Sequence, residues 1–225
     1  MLAPFRGPER EVGLGIDRII KERHLLTHPF YARWQKGKVP IEVLREYAKQ
    51  YFHYEKALPG FLRAALEHID EGPAREAVTQ VLEDESSNRP HADLWIDFAT
   101  GLGVTEDEVI TSSPTPRTTN LIETYRSLSA RGSEEALGAI YAYESQFPDV
   151  ASAKADGLRV HYGVESESAL RFFDLHSTLD VEHGAAIRSG FNDSEFSRES
   201  AHLALDAWWG MLDQFEAMSE NFTAA

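Results

Sequence analysis

Residues 172–187, FFDLHSTLDVEHGAAI, constrain the fold more than any other stretch. His176, Asp180 and His183 stand at i, i+4 and i+7. At about 100° per residue these positions share one face of a helix. Phe172, Leu179 and Ile187 lie on or beside the same stripe. An acid and two imidazoles therefore point where the apolar residues point, into the protein. Ionisable groups in such a place are costly unless they are paired or bind a metal. The rest of the chain must enclose this face and supply its partners. The triplet reads as half of a transition-metal site, or as a helix face with hydrogen-bonded buried histidines.

The surrounding segments are helical too. Apolar residues recur with helical period almost throughout, and strand-like alternation is hard to find. Residues 8–26 form a first helix, with Val12, Ile16, Ile19, Ile20 and Leu26 on one side. Pro29 opens a short helix that Gly37 stops, and Pro40 opens a long one through residue 69, kinked or broken at Pro59. Pro73 begins the next, and HADLWIDFATGLG follows a polar turn. Thr105 and Glu108 form a capping box. Residues 111–119, TSSPTPRTT, read as the longest loop, and a helix follows over 120–131. Ser133 caps another, bent at Pro148, Ser166 caps the helix of the opening triplet, and residues 194–222 form the last. The expectation is an all-α, single-domain bundle of about eight helices spanning residues 1–225.

Charge and composition exclude several functions. The 225 residues carry 22 Lys and Arg against 37 Asp and Glu, a net charge of −15. Nonspecific nucleic-acid binding needs the opposite balance. With no cysteine there is no disulfide, thiolate ligand or cysteine nucleophile. No stretch approaches the roughly 18 apolar residues of a membrane span, and the N-terminus has no signal-length apolar run. A cytoplasmic location is expected. Trp208 and Trp209 on the last helix offer a face for a homodimer.

Two further acids share the oddity of the first triplet. Glu85 continues the apolar stripe of Val78, Val81 and Leu82, and Glu144 continues that of Leu137, Ile140 and Phe147. His91 opens the helix after Glu85. Taken singly, these are ordinary helix-end or solvated residues. Taken together, Glu85, His91, Glu144, His176, Asp180 and His183 put three acids and three imidazoles on four helices. Oxygen and nitrogen donors without sulfur suit iron or manganese, with zinc still open. A rival set pairs Asp180 and His183 with Glu199 and His202, the E-x-x-H spacing of a ferritin-like bundle.

Five motifs in this order resemble those of the heme-oxygenase-like dimetal oxidases. They are HPFYARWQKGK, the LxEYAKxYF pattern over 44–52, the run from Asp84 to Trp95, YAYESQFP, and H-x3-D-x2-H at His176 to His183. The nearest branch is that of the chlamydial proteins associating with death domains, relatives of PqqC and TenA. The resemblance covers residues 10–190. It implies a metal pair, Fe/Fe or Fe/Mn, on the six residues above, with dioxygen and a reductant as co-substrates. The segment between Glu85 and His91 is one residue shorter than the branch pattern, which leaves Glu83 and Asp84 as alternatives to Glu85. The branch also implies synthesis of 4-aminobenzoate for folate from the protein's own tyrosine. Tyr31 would be the ring consumed, Lys154 the amino donor, and Tyr143, with Tyr47 behind it, an electron or proton relay. By ordinary residue behaviour Tyr31 is a core tyrosine and Lys154 a solvated lysine, although the alanines around Lys154 allow a helix to approach and dry the amine. Competing readings are a multi-turnover oxygenase acting on an external small molecule, heme ligation through His24 or His28, and a non-catalytic protein-interaction module.

Overall fold

The computed structural model describes residues 15–224, without the side chains of 178–182, 223 and 224. Among these residues there are eleven α-helices and no strand: α1 (Ile16–Glu22), α2 (Pro29–Trp34), α3 (Ile41–Leu66), α4 (Pro73–Glu85), α5 (His91–Gly101), α6 (Glu106–Thr111), α7 (Pro116–Ser129), α8 (Ser133–Glu144), α9 (Phe147–His161), α10 (Glu167–Ser189) and α11 (Glu195–Ala224). The all-α bundle is as expected, but the helices are shorter and more numerous than eight. Three local causes account for this.

First, the imidazoles of His24 and His28 cap helical turns. His24 accepts from the Leu26 amide and His28 from the Phe30 amide. These caps end the first helix early and start α2 at Pro29, so both rings serve the backbone. Second, α8 and α9 are separate helices divided at Ser145 and Gln146, with Pro148 in the first turn of α9. Third, the Thr105–Glu108 capping box makes α6 a helix in its own right. The expected long loop shrinks to residues 112–115, because Thr115 caps α7 by accepting from the Thr118 amide and Pro116 is its first residue. Threonine followed by proline is helix-start chemistry as much as loop chemistry.

Helix α3 organises the interior. It runs unbroken past Pro59 and packs on α4, α5 and α7. Its inner face carries Tyr47, Tyr51, Tyr54, Leu58 and Leu62, all buried. Helix α10 lies against α4, α5 and α9, and α11 against α7 and α8. The α8–α11 crossing is tight. A Cβ on Gly138 would stand 2.4 Å from the Ser197 carbonyl oxygen, so glycine is required there for the helices to meet. Glu199, His202 and Leu203 face outward on α11. The ferritin-like pairing through Glu199 and His202 is thereby overturned: the helix buries Ala201, Ala204, Leu205 and Trp208 instead. Trp208 packs inside the chain, where its indole donates to the Tyr125 hydroxyl.

Candidate metal centre and its aromatic annex

Glu85 is the last residue of α4 and His91 the first of α5, so one tight turn delivers both to the interior. Glu85 Oε1 and His91 Nδ1 are hydrogen-bonded at 2.8 Å. His176, midway along α10, places its ring 4.6 Å from that of His91, nearly perpendicular to it. One donor atom from each of Glu85, His91 and His176 lies within 4.8 Å of the others, and all three side chains are buried. That is a compact oxygen–nitrogen donor group of the kind that binds a divalent transition metal. Of the three neighbouring acids, Glu85 turns inward and Glu83 outward, while Asp84 lies 3.7 Å from His183 Nε2.

The other expected members fall around this group in different ways. Glu144 ends α8, is buried, and sits one turn before Phe147, whose ring is 4.7 Å from that of His176. His183 lies two turns along α10 from His176, opposite Asp84 on α4. The side chain of Asp180 lies outside the described residues.

Beside the donor group lies an aromatic chamber. Lys154, on α9, is only 1% exposed. Trp34 of α2 holds this part of α9 close by donating its indole N–H to the Lys154 carbonyl at 3.2 Å. Gly157 makes the approach feasible, since a Cβ there would come within 2.6 Å of the Trp34 ring. The Lys154 ammonium nitrogen is 4.6 Å from the centre of the Tyr51 ring, 5.1 Å from Tyr31, 5.4 Å from Tyr47 and 5.6 Å from Phe147. Burial pulls Lys154 down to about 7, with only the Glu55 carboxylate drawing it the other way. An amine in that range is available as a nucleophile near neutral pH.

The hydroxyls of Tyr31 and Tyr47 are hydrogen-bonded at 2.8 Å, and burial raises both phenols. Tyr143 hydrogen-bonds Tyr51 through its hydroxyl and stacks on Trp208 and Phe147. Tyr47 and Tyr51 rings are 5.5 Å apart, which makes Tyr31, Tyr47, Tyr51 and Tyr143 a continuous file of phenols. Phe147 touches both ends, lying 5.6 Å from the Lys154 nitrogen and 4.7 Å from the His176 ring.

Two residues of this region escaped the sequence reading. Neither Tyr51 nor Glu55 is among the site residues that the sequence motifs single out. Glu55 is 2% exposed and couples electrostatically to both parts of the site, to Glu85 and His176 of the donor group and to Lys154 of the chamber. Burial first, and the Glu85 charge second, push it up to about 8. The signal was present. Ala48, Tyr51, Glu55, Leu58 and Leu62 alternate by three and four along α3, the same phase argument that singles out Glu85 and Glu144.

Comparison with known proteins agrees with this geometry. The sequence profile of a family described as iron-containing redox enzymes matches residues 45–215. The chain is 34% identical to the 4-aminobenzoate synthase of Nitrosomonas europaea, over 93% of this chain and 91% of that protein. It is 32% identical to the 4-aminobenzoate synthase of Chlamydia pneumoniae, over 89% and 92% respectively. Among solved structures, a TenA homologue from Pseudomonas syringae superposes with a TM-score of 0.75 at 15% identity, covering 90% of each chain, and so shares the fold. The inward donor group, the helical architecture and these relatives lead to one assignment: the chain belongs to the heme-oxygenase-like family of iron-containing redox enzymes.

Proposed function

We propose that this enzyme makes 4-aminobenzoate from its own Tyr31, with Lys154 supplying the nitrogen. The observation that carries the reading is the position of the Lys154 nitrogen, buried without a hydrogen-bond partner among the described residues and 5.1 Å from the centre of the Tyr31 ring. The full-length likeness to proteins named 4-aminobenzoate synthase supports it. Glu85, His91 and His176 hold one part of a dimetal cofactor, with Glu144, Asp180 and His183 completing it as iron/iron or iron/manganese. When bound, that cofactor supplies the activation of dioxygen, driven by an external reductant.

The chain's own residues do the rest. Converting a tyrosine side chain to 4-aminobenzoate requires breaking the Cα–Cβ bond, oxidising Cβ to a carboxylate and replacing the phenol oxygen by nitrogen. Tyr47 holds the Tyr31 hydroxyl in place through their hydrogen bond. Tyr51 and Tyr143 continue the file of phenols toward His176 and pass hydrogen atoms or electrons along it. The surrounding rings keep water out and keep Lys154 close to its neutral form, poised over the ring.

The test is metal analysis paired with intact mass. Protein purified without chelator should carry two transition-metal ions per chain, lost in Glu144→Ala and His176→Ala variants. Adding reductant and oxygen should then lower the mass by the ring-bearing side chain of Tyr31, together with loss of the Lys154 amine nitrogen. Metal-loaded protein of unchanged mass that still consumes oxygen would replace this reading with a multi-turnover oxygenase acting on an external molecule.

A further inference from the structure

A cavity of about 360 Å³ opens between α3, α5 and α6 and reaches the donor group from outside. Its deep end is formed by the buried carboxylates of Glu55 and Glu85. Its mouth is formed by the exposed Asp93, Glu106 and Lys56, with Ile110 at the rim. Four acidic side chains against one lysine line the cavity, two at its mouth and two at its deep end. The acids at the mouth stand in the first turns of α5 and α6, where helix dipoles favour them. The inner end has no such explanation. Glu55 is nine-tenths buried and more, and its Oε2 has no hydrogen-bond partner among the described residues. A buried carboxyl oxygen held in that state has an unmet partner, which a metal ion passing the cavity would supply.

We infer that this cavity is the entrance through which hydrated divalent metal ions reach the Glu85, His91 and His176 group, with Asp93 and Glu106 as the collecting acids and Glu55 as the inner transfer ligand. Space permits it. Six waters at about 30 Å³ each fill roughly 180 Å³, so a hexahydrated ion fits the cavity before it sheds water. Electrostatics favour it, because a predominantly acidic cleft with low-dielectric walls concentrates cations and speeds their entry. Passing from the solvated mouth to Glu55, an ion exchanges water for carboxylate oxygen gradually, which avoids bare dehydration in the core.

The inference rests on the proposed metal site, and the experiment separates the two. Apo protein is mixed anaerobically with Co(II), and uptake is followed by the visible absorption of the bound ion at low and high salt. An Asp93→Asn, Glu106→Gln variant should load several-fold more slowly than wild type at low salt and converge with it at high salt, with the same final cobalt content. A Glu165→Gln, Glu167→Gln variant, equal in charge change but elsewhere on the surface, should load like wild type. Ile110→Trp, which narrows the mouth without altering charge, should also slow uptake. Equal rates for wild type, Asp93→Asn, Glu106→Gln and Ile110→Trp would overturn the entrance alone. Wild-type protein that takes up no cobalt would overturn the metal site and the entrance together.

Discussion

The Lys154 nitrogen stands 4.6 Å from the centre of the Tyr51 ring and 5.1 Å from that of Tyr31, in a chamber where its one charged counterpart is Glu55. Burial lowers the amine to about 7. The free-amine fraction therefore rises as pH passes through about 7, and nitrogen transfer should rise with it. Single-turnover yield measured between pH 6 and 8.5 should climb through a midpoint near neutrality. A flat profile would detach the amine from the chemistry. Lys154→Arg, which stays charged throughout, should give no aminated product.

The same burial makes a stability prediction. The folded-state value lies below the ordinary lysine value, so between about 7 and 10.5 the unfolded chain binds the proton that the native chain has released. Wild-type stability should rise with pH across that window, by about 1.4 kcal/mol for each pH unit from this group alone. Below 7 the native state carries the full desolvation cost. Lys154→Met removes both effects. Urea unfolding should find the variant more stable than wild type at pH 6, with the advantage shrinking as pH rises toward 10. Parallel curves would show that Lys154 is solvated.

Tyr31→Phe separates packing from chemistry. The ring keeps its contacts with Phe30, Trp34 and Tyr47, but the Tyr47 hydroxyl loses its 2.8 Å partner in a buried setting. The expected cost is about 1–2 kcal/mol of stability, with metal content unchanged. No 4-aminobenzoate should form, and the intact mass should be constant through reductant and oxygen. Product formed at the wild-type yield would move the consumed ring elsewhere.

Gly138→Ala tests the helix crossing independently of the site. The added methyl meets the Ser197 backbone at 2.4–2.9 Å, and backbone on both sides leaves little room to yield. A loss of about 1–3 kcal/mol is expected, seen as a lower Tm. The folded fraction should bind metal with wild-type stoichiometry. An unchanged Tm would mean that α8 and α11 separate easily.

The difference between these residues explains what was legible in the sequence. Glu85, Glu144 and His176 could be found because each continues an apolar stripe on its own helix, a signal contained within about ten residues. Glu55 carries the same signal but lies among aromatics of the same phase, so spacing alone does not set it apart from core. The chamber around Lys154 was out of reach of spacing arguments. It exists because α2, α3, α5 and α9 meet there, and the lysine's burial depends on Trp34, more than a hundred residues earlier, gripping its carbonyl. The Thr115–Pro116 helix start was misread because its residue types serve loops and caps equally.

Glu55→Gln brings these strands together. Burial and the Glu85 charge raise Glu55 to about 8, so near neutral pH the metal-free protein holds it largely protonated. A raised folded-state value means that its contribution is fully present below about 4.5 and is lost as pH rises through about 8. Glutamine keeps the shape and never ionises. Metal-free Glu55→Gln should therefore match wild type near pH 4.5, become progressively more stable than it up to about pH 8, and keep a constant advantage above that. The variant also removes the carboxylate that draws Lys154 upward, so the pH midpoint of amination should move to lower pH. Urea titrations across pH 4.5 to 9 check the first expectation, and single-turnover profiles the second. Coincident stability curves would mean that Glu55 reaches solvent and does not join the donor group to the lysine chamber.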